Sequence, residues 1–223
     1  MSMSDPAWSA VDDYIVDKLI GEDAALETAL ANNRRAGLPP IDVSLAQGKM
    51  LQLLARGVGA KRILEIGTLG GYSSICLARA LDEDGVLVTL ELEGDYAAVA
   101  RGNLDHAGVG HRVDIRVGPA CDTLAGMCVE AETAFDFVFI DADKDNYPAY
   151  LDYAIRLSRP GTMLIFDNVV RAGEVIDPRS GDPKVAGTRA LYDALQDNPR
   201  IDATAMQTVG SKKWDGFLLA LVR

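Results

Sequence analysis

The chain has 223 residues, is 48% hydrophobic and carries a net charge of −11. That length suits one domain with a sizeable core, and the charge argues against a nucleic-acid backbone or an anionic membrane as partner, since both reward clustered Lys and Arg. No apolar run approaches the roughly 18 residues of a membrane span, residues 1–8 show no signal-peptide pattern, and three cysteines without CxxC or metal spacing fit a reducing cytoplasm.

Residues 9–35 carry helix-like spacing, with Val11, Tyr14, Ile15, Leu19 and Ile20 on one side, and Gly37-Leu38-Pro39-Pro40 closes that stretch. A further helix runs from Ser44 to about Arg56. Strands at 62–66, 86–91, 113–117, 135–140 and 161–166 then alternate with helices at about 72–81, 94–107, 120–131, 147–158 and 186–197. Such alternation specifies an α/β domain on a parallel sheet. Two apolar runs follow, 203–209 and 215–222, and their connection is too short for a parallel crossover, so they should pair antiparallel. The chain reads as a single domain over 1–223, with N-terminal helices over 1–57 and a sheet-bearing core over 58–223.

Glu65-Ile66-Gly67-Thr68-Leu69-Gly70-Gly71-Tyr72-Ser73 lies between the first strand and its helix. Glycines there let backbone approach a ligand closely and adopt positive φ. Glu91 ends the second strand, where a carboxylate can accept hydrogen bonds from ribose hydroxyls. The dinucleotide pattern G-x-G-x-x-G is broken, because Leu69 stands two residues after Gly67. A sulfonium and an ammonium group want acceptors rather than phosphate-binding amides, so S-adenosylmethionine fits this loop better than NAD. An NAD(P)-dependent oxidoreductase on a similar sheet is the alternative, and a non-catalytic S-adenosylmethionine-binding scaffold is a third reading.

Two strand-like runs end in oxygen donors: Phe135-Asp136-Phe137-Val138-Phe139-Ile140-Asp141 and Thr162-Met163-Leu164-Ile165-Phe166-Asp167-Asn168. Strand C-termini of an open parallel sheet share one edge, with ligands bound in the crevice outside it. Asp141, Asp167 and Asn168 can therefore converge. An oxygen-only trio suits a hard divalent cation, Mg²⁺, Ca²⁺ or Mn²⁺, better than zinc or copper. The only histidines, His106 and His111, sit beside Gly-rich turns and give little support to a zinc site or a serine–histidine triad.

Arg62-Ile63-Leu64-Glu65-Ile66-Gly67 through Gly71-Tyr72-Ser73-Ser74, then Val88-Thr89-Leu90-Glu91, Phe139-Ile140-Asp141-Ala142-Asp143-Lys144 and Asp167-Asn168-Val169-Val170 occur in order. Together they resemble the cation-dependent O-methyltransferases, the group that holds catechol O-methyltransferase and caffeoyl-CoA O-methyltransferase. The resemblance spans about residues 43–222. It implies a class I methyltransferase Rossmann-like fold, with a seven-stranded, mostly parallel sheet, one antiparallel strand and extra N-terminal helices. Carried over position by position, Glu65, Gly67 and Ser73 would line the methionine end of the cofactor, Glu91 the ribose and Ala120 the adenine, while Val43 would close over it. Asp141 would serve both cofactor and metal, Asp167 and Asn168 would complete the metal ligands, and Lys144 would be the general base.

On the acceptor side, the Gly- and Pro-rich stretch 171–187 reads as a long mobile wall or lid. Tyr147 and Trp214 are candidates to stack on an aromatic ring, and Asp143 is expected to face solvent. The last turn, from Gly210 to Gly216, looks longer than the compact turn of the caffeoyl-CoA-like branch. The expected acceptor is a small catechol-like or vicinal-dihydroxy aromatic, and the apolar stripe in 9–35 together with the resemblance suggests a homodimer.

Overall fold

A computed structural model describes residues 5–223. Its strands are β1 (Arg62–Ile66), β2 (Val86–Glu91), β3 (Val113–Val117), β4 (Phe135–Ile140), β5 (Ser158–Asp167), β6 (Ile201–Gly210) and β7 (Lys213–Val222). They form one sheet in the order β3-β2-β1-β4-β5-β7-β6. β1 to β5 run parallel, and β7 is antiparallel to both β5 and β6. This is the mostly parallel sheet with one antiparallel strand that the alternation and the final turn lead one to expect.

Both faces are covered, as parallel sheets require. Side chains alternate between faces with period two. Leu64, Ile66, Val138, Ile140, Leu164 and Phe166 enter one core with α6 (Ala120–Val129), α7 (Tyr147–Arg156) and α8 (Pro183–Leu195). Ile63, Leu87, Phe137, Phe139 and Ile165 enter the other, with α2 (Ala24–Arg35), α3 (Leu45–Gly57) and α4 (Tyr72–Ala78). All seven residues of α4 are buried. α5 (Gly94–His106) completes that second layer with Ala97, Ala100 and Leu104.

The N-terminal stretch is divided into two helices. After α1 (Pro6–Ile15) the chain widens into a π turn over Val16–Ile20 and breaks at Gly21, whose φ of 76° suits glycine. Asp23 then caps α2, its carboxylate accepting from the N–H groups of Ala25 and Leu26. Ser44 and Gln47 start α3 with a reciprocal capping box. α1 buries none of its residues, and Val11, Tyr14 and Leu19 remain exposed.

Two further boundaries differ from expectation. The stretch 171–187 is not one long loop: Arg171–Ile176 forms a 3₁₀ turn, and α8 begins at Pro183 behind Asp182, whose carboxylate accepts from the Lys184 N–H at 2.8 Å. Asp at N-cap followed by Pro at the first helical position is a helix start. The final turn is also tight, because β6 continues to Gly210 and β7 resumes at Lys213, leaving only Ser211-Lys212 between the paired strands.

Candidate active site

The strand order reverses between β1 and β4, and the loops leaving those strands open the crevice. The Gly67 N–H donates to the Leu90 carbonyl at 3.0 Å, and the Asp141 N–H donates to the Ile66 carbonyl at 2.9 Å. Gly67 has a φ of 103°, and a Cβ there would lie 2.4 Å from the Asp141 carbonyl oxygen. Leu69, the residue that breaks the dinucleotide pattern, itself adopts a left-handed φ of 49°. Its N–H donates to Glu91 Oε2 at 2.7 Å, and the Glu93 N–H donates to Oε1 at 3.0 Å. Glu91 thus ties the glycine loop to the end of β2.

A cavity of about 620 Å³ lies over this edge, and Val43, Gly67, Ser73, Glu91, Ala120 and Asp141 all line it. Glu65 does not. Its carboxylate is fully buried beneath the loop, accepting from the hydroxyls of Ser73 at 2.6 Å, Thr89 at 2.7 Å and Ser74. Burial pushes the Glu65 carboxyl up to about 7, against the pull of those three donors. Glu65 pins the first turn of α4, and Ser73 spends its hydroxyl on that inward bond.

The ends of β4 and β5 bring the second group together. Ile140 pairs with Phe166, so Asp141 and Asp167 follow on neighbouring strands. Asp167 is buried, and its Oδ1 accepts from the Asn168 N–H at 2.8 Å. Burial, then the Asp141 charge, push its carboxyl up to about 7. Asn168 turns with a φ of 54°. Lys144 is buried, with Nζ donating to Asp141 Oδ1 at 2.6 Å. Burial alone would push this ammonium down, but the Asp141 charge and its hydrogen bond outweigh it, so Lys144 is held above the ordinary lysine range and protonated in this arrangement. Among the described residues no group of three His, Cys, Asp or Glu is placed to hold a metal; the donor set at this edge is two carboxylates and an amide.

A second cavity, about 450 Å³, adjoins the first, with Asp167, Met50 and Phe217 in its wall. The two share Ile41, Asp42, Val43, Asn168 and Arg171. Neither aromatic candidate stands in it. Tyr147 is fully buried below the site, its hydroxyl donating to the Asp167 carbonyl at 2.6 Å and its ring edge-on to Phe166. Trp214 lies over Gly173, and its Nε1–H donates to Gln207 Oε1 at 3.0 Å. Asp143 is exposed, as expected, and accepts from the Tyr150 hydroxyl.

Sequence reasoning missed an amide network behind the glycine loop. Asn103 Nδ2 donates to the Gly70 carbonyl at 2.8 Å and to Asn33 Oδ1 at 3.0 Å, and Asn33 Nδ2 donates to Asp42 Oδ1 at 2.8 Å. Asn32 donates to Asn103 Oδ1 at 2.7 Å. A Cβ on Gly70 would fall inside the Asn33 amide. The available signal was Asn32-Asn33 inside a helix, where asparagine is a poor former without a partner.

A doubly wound sheet ending in an antiparallel strand, with a glycine loop and an acid-ended strand at its switch point, defines a class I methyltransferase. The chain belongs to the O-methyltransferase family, whose model matches residues 20–221. It is 48% identical over 221 residues to a catechol O-methyltransferase of Niastella koreensis, covering 99% of this chain and 100% of that one. It is 50% identical over 213 residues to a catechol O-methyltransferase of Mycobacterium tuberculosis, covering 96% and 95%. The crystal structure of the O-methyltransferase from Bacillus cereus in complex with SAH superposes with a TM-score of 0.96 at 53% identity, covering 97% of this chain and 99% of that one. Family membership sets aside the oxidoreductase alternative.

Proposed function

We propose that the protein transfers a methyl group from S-adenosylmethionine to one hydroxyl of a small catechol-like, vicinal-dihydroxy aromatic acceptor, with a divalent cation, magnesium by class, at the β4–β5 edge. The observation that carries this reading is the buried Asp167 beside Asp141, whose charge makes ionising Asp167 costlier at the junction of the two cavities. Among the described residues Asp167 has no ion-pair partner, since Lys144 is bonded to Asp141. A carboxylate pair with an adjacent amide oxygen is the donor chemistry of a hard cation. The catechol O-methyltransferase relatives support the acceptor class, and the SAH held by the Bacillus cereus enzyme supports the donor.

The donor fits the larger cavity through Gly67, where a side chain would close the approach to backbone. Glu91 keeps acceptor capacity beyond its two amide bonds, because a carboxylate offers about four lone-pair sites, and we assign it the ribose hydroxyls. Val43 closes over the donor, Ala120 lies by the adenine, and Asp141 accepts from the donor's amino group. Asp141, Asp167 and Asn168 would hold the metal. Such a cation would supply charge stabilisation for a developing oxyanion and would lower the hydroxyl pKa. Lys144 keeps its proton while Asp141 faces it alone; with Asp141 neutralised, burial favours the free amine, and Lys144 Nζ accepts the acceptor's proton. Positioning, worth effective molarities of about 10⁵ to 10⁸ M when alignment is good, and the metal should outweigh this base, worth about 10² to 10⁴.

The test is a chelator-controlled acceptor screen with labelled donor. Turnover of catechols that is lost with EDTA and restored by Mg²⁺ is expected; turnover indifferent to chelation would overturn the metal, and no product on any acceptor would favour the scaffold reading. We further infer a homodimer, supported by the uncovered Val11, Tyr14 and Leu19 of the first turns; a sedimentation mass of one chain at micromolar concentration would count against it. A cytoplasmic setting is supported by three free thiols.

A further inference from the structure

We propose that Arg171 is an anion-reading residue of the acceptor cavity, and that the acceptor accordingly bears a carboxylate besides its hydroxyls. The inference deepens the catechol reading above and rests on it for the identity of the second cavity. Arg171 lines both cavities where they meet. Its Nε is buried and has no hydrogen-bond partner. Among the described residues the only carboxylate within 4.0 Å of the guanidinium is that of Asp182, 4.0 Å from Nη2, and the Arg171 side chain is 23% exposed. A buried, unpaired donor on a cation is costly, and a guanidinium recognises carboxylate through paired N–H groups.

The chain accepts backbone strain to set this side chain in place. Asn168, Arg171 and Ala172 have φ values of 54°, 54° and 53°, a left-handed region that non-glycine residues rarely enter. Asp215 Oδ1 holds the turn by accepting from the N–H groups of Val170 at 3.1 Å, Arg171 at 3.0 Å and Gly216 at 3.0 Å. Gly173 is locked under the Trp214 ring, which a Cβ there would meet at 2.6 Å. An arginine serving only as a strut for this turn would bond to it, yet the turn is clamped by Asp215 and Trp214 instead.

Two further cations stand at the cavity wall. Lys212 and Lys213 line it and form no ion pair among the described residues. Its acids keep their charge but are held by protein donors: Asp12 accepts from Ser211, Asp42 from Asn33 and Asp215 from backbone amides. Asp167 belongs to the proposed cation site. The cavity wall thus carries acids and bases together, with Met50 and Phe217 among its apolar residues.

The experiment pairs 3,4-dihydroxybenzoate with its methyl ester, which differ in charge but share the reacting ring, and adds benzoate as a ligand without reacting hydroxyls. Wild-type protein should favour the acid over the ester in kcat/KM by about tenfold or more. Arg171→Gln should bring that ratio close to one, chiefly through KM for the acid, and Arg171→Lys should restore only part of it because the fork is lost. Benzoate, followed by ligand-observed NMR, should bind wild type and not Arg171→Gln. A wild-type ratio near one, an unchanged ratio in the variant, or equal benzoate binding by both would overturn the proposal. If neither ring is methylated, the catechol reading fails, while the benzoate comparison still decides the anion site. Should Arg171→Gln fail to fold, Arg171→Lys carries the same comparison.

Discussion

Asp167→Ala is expected to remove cation-dependent methyl transfer while leaving donor affinity nearly intact. Asp167 ends β5 beside Asp141 and lines the second cavity, not the one bordered by Gly67 and Glu91. Without it the proposed cation keeps one carboxylate and one amide, and the several kcal/mol of charge stabilisation that a metal supplies correspond to a rate loss on the order of 10³-fold or more. Initial rates across a Mg²⁺ titration, with donor calorimetry alongside, read the two effects separately; an undiminished rate would take Asp167 out of the metal site. Stability should move the other way. The Asp167 carboxyl is raised from 3.8 to about 7, so its stabilising contribution is complete below its unfolded pKa and is lost as pH rises through about 7. In chelator, the melting temperature of Asp167→Ala relative to wild type should therefore climb between about pH 4 and pH 8.

Gly67→Ala should damage the donor cavity most among single methyl additions. The new Cβ would press on the Asp141 carbonyl at 2.4 Å, and alanine would be forced to a φ of 103°. Strain and overpacking of this kind cost about 1–3 kcal/mol each, and any relief must displace Asp141 or the glycine loop, both of which line the cavity. Donor affinity should fall by about tenfold or more, with a matching loss in denaturant midpoint. Gly94→Ala is the control, since nothing lies within 4 Å of a Cβ there. Equal donor binding by Gly67→Ala and wild type would refute the close approach assigned to Gly67.

β1 to β4 were legible because each is a compact apolar run bounded by turn residues, and their ends coincide with the expected ones. β5 starts earlier than its apolar run, at Ser158, because Arg159-Pro160-Gly161 conceals a strand that bulges against β4 and is tied by the Thr162 hydroxyl to the Phe135 carbonyl at 2.6 Å. The positions of Glu91, Asp141, Asp167 and Asn168 could be read because parallel strands must deliver their C-terminal residues to one edge. Which way a side chain turns at that edge could not be read. Glu65 points down into three hydroxyls rather than into the cavity, and Tyr147 supports Asp167 from below. Arg171 was hidden for a similar reason. Its placement depends on left-handed backbone held by Asp215, a residue 44 positions away.

The wedge of Asn33 against Gly70 has a practical consequence for anyone wishing to graft or shorten this scaffold. The segment ahead of β1 supplies only Ile41, Val43 and their neighbours to the donor cavity, so for donor binding it looks exchangeable with the prelude of another protein. Swapping it would nonetheless strip the amides that brace the glycine loop from behind, and the recipient core would inherit a loosened grip on its methyl source. Chimeras should therefore be cut ahead of Asn32, or carry Asn32, Asn33 and Asn103 across as a set.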